Sequence, residues 1–205
     1  MSNEYHKIQS MFKRDTKGKM LFGDWSWPEF EYLKDLEWIW DEKVDGTNIR
    51  VNWNQEIIRF GGRTERAQVP VKLLDALQDL FPASTFTTMP EMTLYGEGYG
   101  AKIQKGGGNY RQDNSFVLFD VFCGGYWLRR VDIEEIAKSL VIDVCPIVGK
   151  GTLTQARNYV EIGMKSTWGD FQAEGLVLRP PVQLFTRQGK RLITKTKVKD
   201  FSSQK

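Results

Sequence analysis

Two strand-like runs on either side of a short polar turn constrain this chain more than anything else in it. Trp38-Ile39-Trp40 is continuously apolar, and Ile49, Val51 and Trp53 recur at every second position, so the first reads as a buried strand and the second as a half-buried one. Between them lies Glu42-Lys43-Val44-Asp45-Gly46-Thr47-Asn48, which puts one lysine where a strand turns into the next. An ordinary lysine is protonated at neutral pH and cannot attack an electrophile. Desolvation by the tryptophans and neighbouring cations would lower the pKa of Lys43, the two usual routes to a nucleophilic lysine. Taken alone, Lys-x-Asp-Gly is more simply a salt-bridged surface lysine ahead of an Asp-Gly turn, and the other segments of the chain decide between the readings.

The remaining pattern is that of a mixed α+β chain. Strands are expected near 38–43, 47–53 and 56–60, the last two joined at Asn54-Gln55, and again near 92–97, 116–122, 174–179 and 191–198. Val71, Leu74, Leu77 and Leu80 or Phe81 recur at helical spacing. A second helix is expected to start at Asp132 with Glu135 completing a capping box, and a third at Thr152 with Gln155, ending near Gly163. Lys105-Gly106-Gly107-Gly108-Asn109 lacks a strand-to-helix context and reads as a flexible surface loop. With 205 residues, 40% of them hydrophobic, and no repeat or linker, residues 1–205 are expected to form a single domain with its own core.

Composition excludes several chemistries. One histidine, His6, rules out a Ser-His-Asp triad in the body of the chain and any multi-histidine metal site. Cys123 and Cys145 are too few for a zinc cluster or a disulfide framework, which fits a reduced, cytoplasmic protein of a cell or a phage-infected host. No stretch reads G-x-x-x-x-G-K-[ST], so a bound nucleotide would not sit in a P-loop. The start of the chain has no apolar signal region and no run is long enough to span a bilayer, so neither export nor a membrane partner is expected. The net charge is only +3, but it is uneven. Residues 24–45 carry eight acids against two basic residues, and residues 187–205 carry seven basic residues against one acid. Such polarity can present one basic face to a phosphate backbone, and an uneven solvated surface explains it equally.

Several charged and aromatic positions stand out on chemical grounds. Lys195 and Lys197 are two apart, so on a strand both ammonium groups point to one face while Leu192, Thr194, Thr196 and Val198 point to the other. A converging pair of this kind suits a triphosphate, because it offsets charge on a leaving pyrophosphate. Glu97 and Glu174 each adjoin a glycine at the end of an apolar run, where a carboxylate can accept from ribose hydroxyls or hold Mg²⁺, directly or through water. For Glu97 an exposed place in a glycine loop explains the pattern equally. Arg63 follows Gly61-Gly62 at a strand end, where a guanidinium can grip phosphate, although Arg59 and Arg66 could do the same. Phe119 lies in a nearly all-apolar stretch in which a core phenylalanine is the commoner outcome. Glu42 faces away from Lys43 if both lie on a strand.

In order along the chain, these segments resemble the covalent nucleotidyltransferase superfamily, which comprises ATP-dependent RNA and DNA ligases and messenger-RNA capping enzymes. They are most similar to RNA ligases of the phage RNA-ligase-2 and RNA-editing-ligase type. The resemblance covers about residues 38–201 and rests on Lys43-Val44-Asp45-Gly46-Thr47-Asn48, Gly61-Gly62-Arg63-Thr64, Leu94-Tyr95-Gly96-Glu97, Phe116-Val117-Leu118-Phe119-Asp120, Glu174-Gly175-Leu176-Val177-Leu178-Arg179 and Lys195-Thr196-Lys197. It implies two antiparallel sheets flanked by helices with the nucleotide between them. It makes Lys43 the residue that becomes AMP-linked, puts Glu42 near the adenine edge, Phe119 on the adenine, Glu97 on the ribose and Arg63 at phosphate, and adds Glu174 and the paired lysines. ATP and Mg²⁺ or Mn²⁺ are the implied cofactors. The implied substrate is nicked or broken RNA, and Asn48 favours RNA over DNA because DNA ligases usually have arginine there. Relatives usually continue past the paired-lysine strand into another domain, whereas this chain stops eight residues after Lys197. The expectation is therefore a monomer without an appended C-terminal domain, either minimal or dependent on a partner protein for its nucleic-acid clamp. A DNA ligase, a capping-type guanylyltransferase and a non-catalytic nucleotide- or RNA-binding module are the competing readings.

Overall fold

A computed structural model describes residues 4–202 and is α+β, as the sequence pattern requires. Its contacts divide into two compact units: Asp45–Cys145 with Met1–His6, and Lys7–Val44 with Pro146–Lys205. The boundary at Val44 and Asp45 falls inside the Lys-Val-Asp-Gly turn, so Trp38–Glu42 and Thr47–Trp53 do not pair with each other and belong to different sheets.

The second unit holds a five-stranded sheet in the order Gln9–Ser10, Thr194–Lys197, Gly175–Arg179, Trp38–Glu42 and Ile147–Gly151. Its pairings are antiparallel except that Gln9–Ser10 runs parallel to the lysine strand and covers its outer edge. Strand alternation sends Trp38, Trp40, Leu176 and Leu178 into one core with Leu153, Ala156 and Val160 of the helix Leu153–Glu161. Each large apolar side chain fully buried there contributes about 1.5–3 kcal/mol relative to exposure. The helix starts where expected. Thr152 Oγ1 accepts from the Gln155 N–H and Gln155 Oε1 accepts from the Thr152 N–H, which satisfies donors the first turn would leave unpaired.

The other unit holds a six-stranded sheet with the order Asp143–Val144, Asn114–Cys123, Met92–Gly100, Thr47–Trp53 and Ile58–Gly62, and Tyr126–Trp127 pairs with Asn114–Cys123. Ile49, Val51, Trp53, Leu94, Phe116 and Leu118 face helices Val71–Leu80 and Arg130–Leu140. Asn48, Arg50 and Asn52, paired with Glu97, Tyr95 and Thr93, occupy the opposite face.

Four sequence expectations shift. The third strand is Ile58–Gly62, because the Asn54 side chain accepts from the Glu56 and Ile57 N–H groups and lengthens the turn. Helix Val71–Leu80 buries Leu73 and Leu77 and leaves Val71 exposed, so its apolar face is rotated from the one the spacing suggested. Asp132 does not cap a helix that begins after it. It lies in the first turn of Arg130–Leu140, where its carboxylate accepts from the Arg129 N–H. Finally, residues 105–109 are not a simple surface loop. Gly107–Tyr110 form a helical turn, and a Cβ on buried Gly107 would stand 1.9 Å from the Gly100 carbonyl oxygen, a packing only glycine permits. Among the described residues no helix is long and apolar enough to cross a membrane.

Candidate active site

In the five-stranded unit, Lys43 follows directly on Trp38–Glu42, and its N–H donates to the Gly175 carbonyl at 2.9 Å. Its Nζ reaches Glu174 Oε2 at 2.6 Å, and Lys197 Nζ reaches Glu174 Oε1 at 2.6 Å. The carboxylate is thus shared by two ammonium groups, one bound to each oxygen. Backbone geometry explains why. Gly175 pairs with Lys197 and Leu176 with Glu42, so the residue before Gly175 projects between the end of the lysine strand and the end of the Lys43 strand. Gly175 has a φ of +152°, and a Cβ there would lie 2.1 Å from the Thr196 carbonyl oxygen. Glycine is what lets the strands close at this point.

The alternation expected for the lysine strand holds: Thr194 and Thr196 are buried while Lys195 and Lys197 share the other face. Lys199 does not continue it, because it begins the short helix Lys199–Ser202 and is exposed. Burial pushes the Lys195 pKa down to about 8, and the charges of Lys43, Lys197 and Lys7 add to that effect against the opposing pull of Glu174. Burial acts to raise the Glu174 pKa, but Lys43 and Lys197 outweigh it and hold the carboxyl below the ordinary glutamate value. The tryptophans expected to desolvate Lys43 point instead into the core.

Glu42 faces away from Lys43, as alternation requires. It is 1% exposed, and its carboxylate accepts from Ser166 Oγ, from the Thr167 N–H at 2.8 Å and from Thr167 Oγ1 at 2.7 Å. Asp41, on the Lys43 side of the strand, pairs with Arg179 at 2.8 Å. Sequence reasoning missed Ser166 and Thr167, because a loop more than a hundred residues away carries no local mark of its partner.

In the six-stranded unit, Asn48 and Glu97 stand directly opposite each other on adjacent strands. Asn48 Oδ1 is buried without a hydrogen-bond partner among the described residues, which leaves one oxygen acceptor beside a carboxylate. The turn that opens this unit is held by the two residues that flank the stretch read as a loop: Tyr110 Oη accepts from the Asp45 N–H at 3.2 Å, and Gln104 Nε2 donates to the Gly46 carbonyl at 3.1 Å. Phe119 is not a core residue. The register between Met92–Gly100 and Asn114–Cys123 slips so that Tyr95 pairs with Asp120 and Gly96 with Leu118, which leaves Phe119 as the extra residue of a bulge. Bulges re-aim a side chain, and this ring is half-buried, 5.1 Å edge-on from the Tyr5 ring. Tyr5 also donates to Asp120 at 2.7 Å. Arg63 is exposed in the bend after Ile58–Gly62.

The structure therefore brings Lys43, Glu174, Lys195 and Lys197 together in one unit, and Asn48 and Glu97 in the other, while Glu42, Arg63 and Phe119 each occupy separate settings. Residues 36–197 match the family described as RNA ligase. No curated protein sequence matches the chain. Among solved structures the chain is similar to a Naegleria gruberi RNA ligase with PPi, at 17% identity and a TM-score of 0.68, over 98% of this chain and 63% of that one. A variant of that ligase with ATP and Mn gives 16% identity and a TM-score of 0.67, over 98% and 60%. A further apo variant of a Naegleria gruberi RNA ligase gives 18% and 0.65, over 87% and 54%. The chain thus spans between 54% and 63% of the length of these structures, and at such identities the likeness speaks for the fold.

Proposed function

This chain belongs to the RNA ligase family, and we propose that it is an ATP-dependent RNA ligase whose Lys43 carries the AMP. The observation that supports this most directly is the Lys43–Glu174–Lys197 bridge with Lys195 on the same strand face as Lys197. One lysine at a strand end is thereby set among cations able to receive a triphosphate. In the first step Lys43 Nζ, having lost a proton, attacks the α-phosphorus of ATP. A P–N bond forms, the bond to the β-phosphate bridge oxygen breaks, and pyrophosphate leaves. A 5′-phosphate oxygen of RNA then attacks the same phosphorus, the P–N bond breaks and the lysine regains its proton. In the last step a 3′-hydroxyl oxygen attacks the 5′-phosphorus and gives its proton to water, the P–O bond to AMP breaks, AMP leaves, and a phosphodiester remains.

The residues divide this work by charge. Lys195 and Lys197 offset negative charge on the departing pyrophosphate, the preorganised stabilisation that phosphoryl transfer depends on. Glu174, held below the usual carboxylate range, is a weak base, so Lys43 must give up that contact to attack, and incoming phosphates compete for both lysines. Arg63 supplies a guanidinium for phosphate, Phe119 a ring for adenine and Glu97 a carboxylate for ribose. Glu42, immediately before the nucleophile, is fixed by Ser166 and Thr167 on the side away from it.

A divalent cation fits the donor set at Asn48 and Glu97, where an orphaned amide oxygen faces a carboxylate across two strands. Hard cations such as Mg²⁺ or Mn²⁺ take oxygen ligands and keep several waters, and when bound such an ion offsets phosphate charge. Glu174 fits the lysine frame better than a metal, because each of its oxygens holds an ammonium group. Two free cysteines suit a reducing, cytoplasmic compartment.

The test is the mass of the intact protein after incubation with ATP and Mg²⁺. A gain of one AMP with ATP, none with GTP, and none in Lys43→Ala is expected. An adduct with GTP alone would move the reading to capping chemistry, and no adduct with either nucleotide would leave a binding module. Joining of nicked RNA against nicked DNA then tests the substrate preference drawn from Asn48.

A further inference from the structure

Arg50 lies in the middle of strand Thr47–Trp53 and is 3% exposed, a placement that demands partners for a guanidinium that cannot lose its charge. Among the described residues, the hydrogen-bond and ion-pair partners of the guanidinium are on one short segment. Arg50 is paired across the sheet with Gly61. The guanidinium lies against that glycine, since a Cβ there would stand 3.1 Å from Nη2 and 3.6 Å from Cζ. Nε donates to the Gly62 carbonyl at 2.7 Å, and Nη1 reaches Glu65 Oε1 at 2.8 Å. The two bonds grip the bend one residue before Arg63 and two residues after it. Glu65 is held from a second side, because its N–H donates to Glu4 Oε1 at 2.9 Å. Arg63 itself is exposed and has no hydrogen bond or ion pair among the described residues. A long exposed side chain keeps its aim only if the backbone beneath it is fixed.

From this geometry we infer that Arg50 is a positioning residue, which holds the Gly61–Glu65 bend so that Arg63 is presented to the phosphates of the nucleotide. The inference rests on the proposed ligase reading for the role of Arg63, and on the structure alone for the clamp. A planar fork is needed to reach a carbonyl and a carboxylate at once. Lysine carries its donors at a single point of charge and does not reproduce the separate Nε and Nη1 positions that hold Gly62 and Glu65.

The experiment compares Arg50→Gln, Arg50→Lys, Glu65→Gln, Arg63→Ala and the Arg50→Gln/Arg63→Ala double variant in the full chain. The first readout is the rate of AMP-adduct formation with ATP and Mg²⁺. Arg63→Ala should lose about tenfold to a hundredfold, the scale of one lost charge at a phosphoryl centre, and Arg50→Gln about tenfold. Arg50→Lys and Glu65→Gln should lose less, because each keeps one arm of the clamp. In the Arg63→Ala background, Arg50→Gln should add less than about twofold, since the residue it acts through is gone. The second readout needs no activity: limited digestion with trypsin, scored by mass for cleavage after Arg63. Loosening of the bend in Arg50→Gln should speed that cut at least about fivefold while cuts elsewhere keep their rates.

Full additivity of the two substitutions, or an unchanged cut after Arg63 in Arg50→Gln, would overturn the inference. Uniformly faster cutting at all sites would overturn it as well, by showing a general loss of stability. If the wild-type chain forms no adduct at all, the ligase reading fails, and the cleavage pattern still decides whether Arg50 fixes the bend.

Discussion

Replacing Glu174 by glutamine keeps the shape of the side chain and removes only its charge, which isolates the central electrostatic feature of this protein. In the wild type one carboxylate, 13% exposed, faces Lys43 and Lys197 at 2.6 Å each, and these lysines are 19% and 20% exposed. Taking away one partner of a fully buried ion pair costs about 3–5 kcal/mol, because it strands the opposite charge. Here two ammonium groups are stranded beside Lys195, but water reaches a fifth of each lysine and screens part of the repulsion. A loss of about 2–3 kcal/mol is therefore expected, or roughly thirtyfold to a hundred-and-fiftyfold in the folding equilibrium. Denaturant unfolding at neutral pH reads it directly. The pH dependence supplies the sign. The folded-state pKa of Glu174 lies below the ordinary value of 4.5, so its contribution is fully present above that value. It is lost as pH falls through the lowered folded pKa, and wild type and variant should converge in acid. A double-mutant cycle with Lys197→Met should show coupling, since that substitution removes one of the stranded charges. A variant within about 0.5 kcal/mol of wild type at neutral pH would refute the reasoning, because it would mean that the lysines do not depend on this carboxylate.

Further expectations concern the surroundings of the bridge. Lys195→Ala or Lys197→Ala should slow adduct formation by about tenfold to a hundredfold, whereas Lys199→Ala, on the helix Lys199–Ser202, should stay within about twofold; equal losses at all three would indicate a diffuse basic patch. Because the Lys195 pKa is pushed down to about 8, its ammonium charge is lost as pH rises through that value. Pyrophosphate affinity, measured calorimetrically, should therefore weaken between about pH 7 and 9, by up to roughly tenfold per unit, and Lys195→Arg should flatten the profile; identical profiles would sink the idea. Gly107→Ala should destabilise the fold by about 1–3 kcal/mol in thermal unfolding, since its methyl group meets the Gly100 carbonyl. Tyr110→Phe removes a hydroxyl that accepts from the Asp45 N–H, so it should cost about 0.5–1.5 kcal/mol of stability and slow adduct formation; an unchanged rate would show that the bond does not steady the Lys43 turn.

What the sequence determined by itself was whatever a period or a nearest neighbour can carry. The shared face of Lys195 and Lys197 follows from the two-residue repeat of a strand, and the helix start at Thr152 from hydrogen bonds spanning three residues. The opposite orientations of Glu42 and Lys43 are of the same kind. Only the tertiary structure decided which charges meet. Glu174 lies between Lys43 and Lys197 because Gly175 pairs with Lys197 and Leu176 with Glu42, a register fixed by burial of Leu176 and Leu178 and not by the glutamate. Phe119 left the core because of a one-residue slip against a distant strand, and the glycine run at 106–108 became a packed helical turn because Gly107 meets Gly100. Arg50 shows the limit most clearly. Alternation with Ile49 and Val51 puts it on the polar face, yet nothing within several residues of it reveals that its guanidinium would close on Gly62 and Glu65. Local backbone geometry repeats and can be read along the chain, whereas long-range pairing is settled by the core that brings the strands into register, and the contacts of the proposed active site are of the second kind.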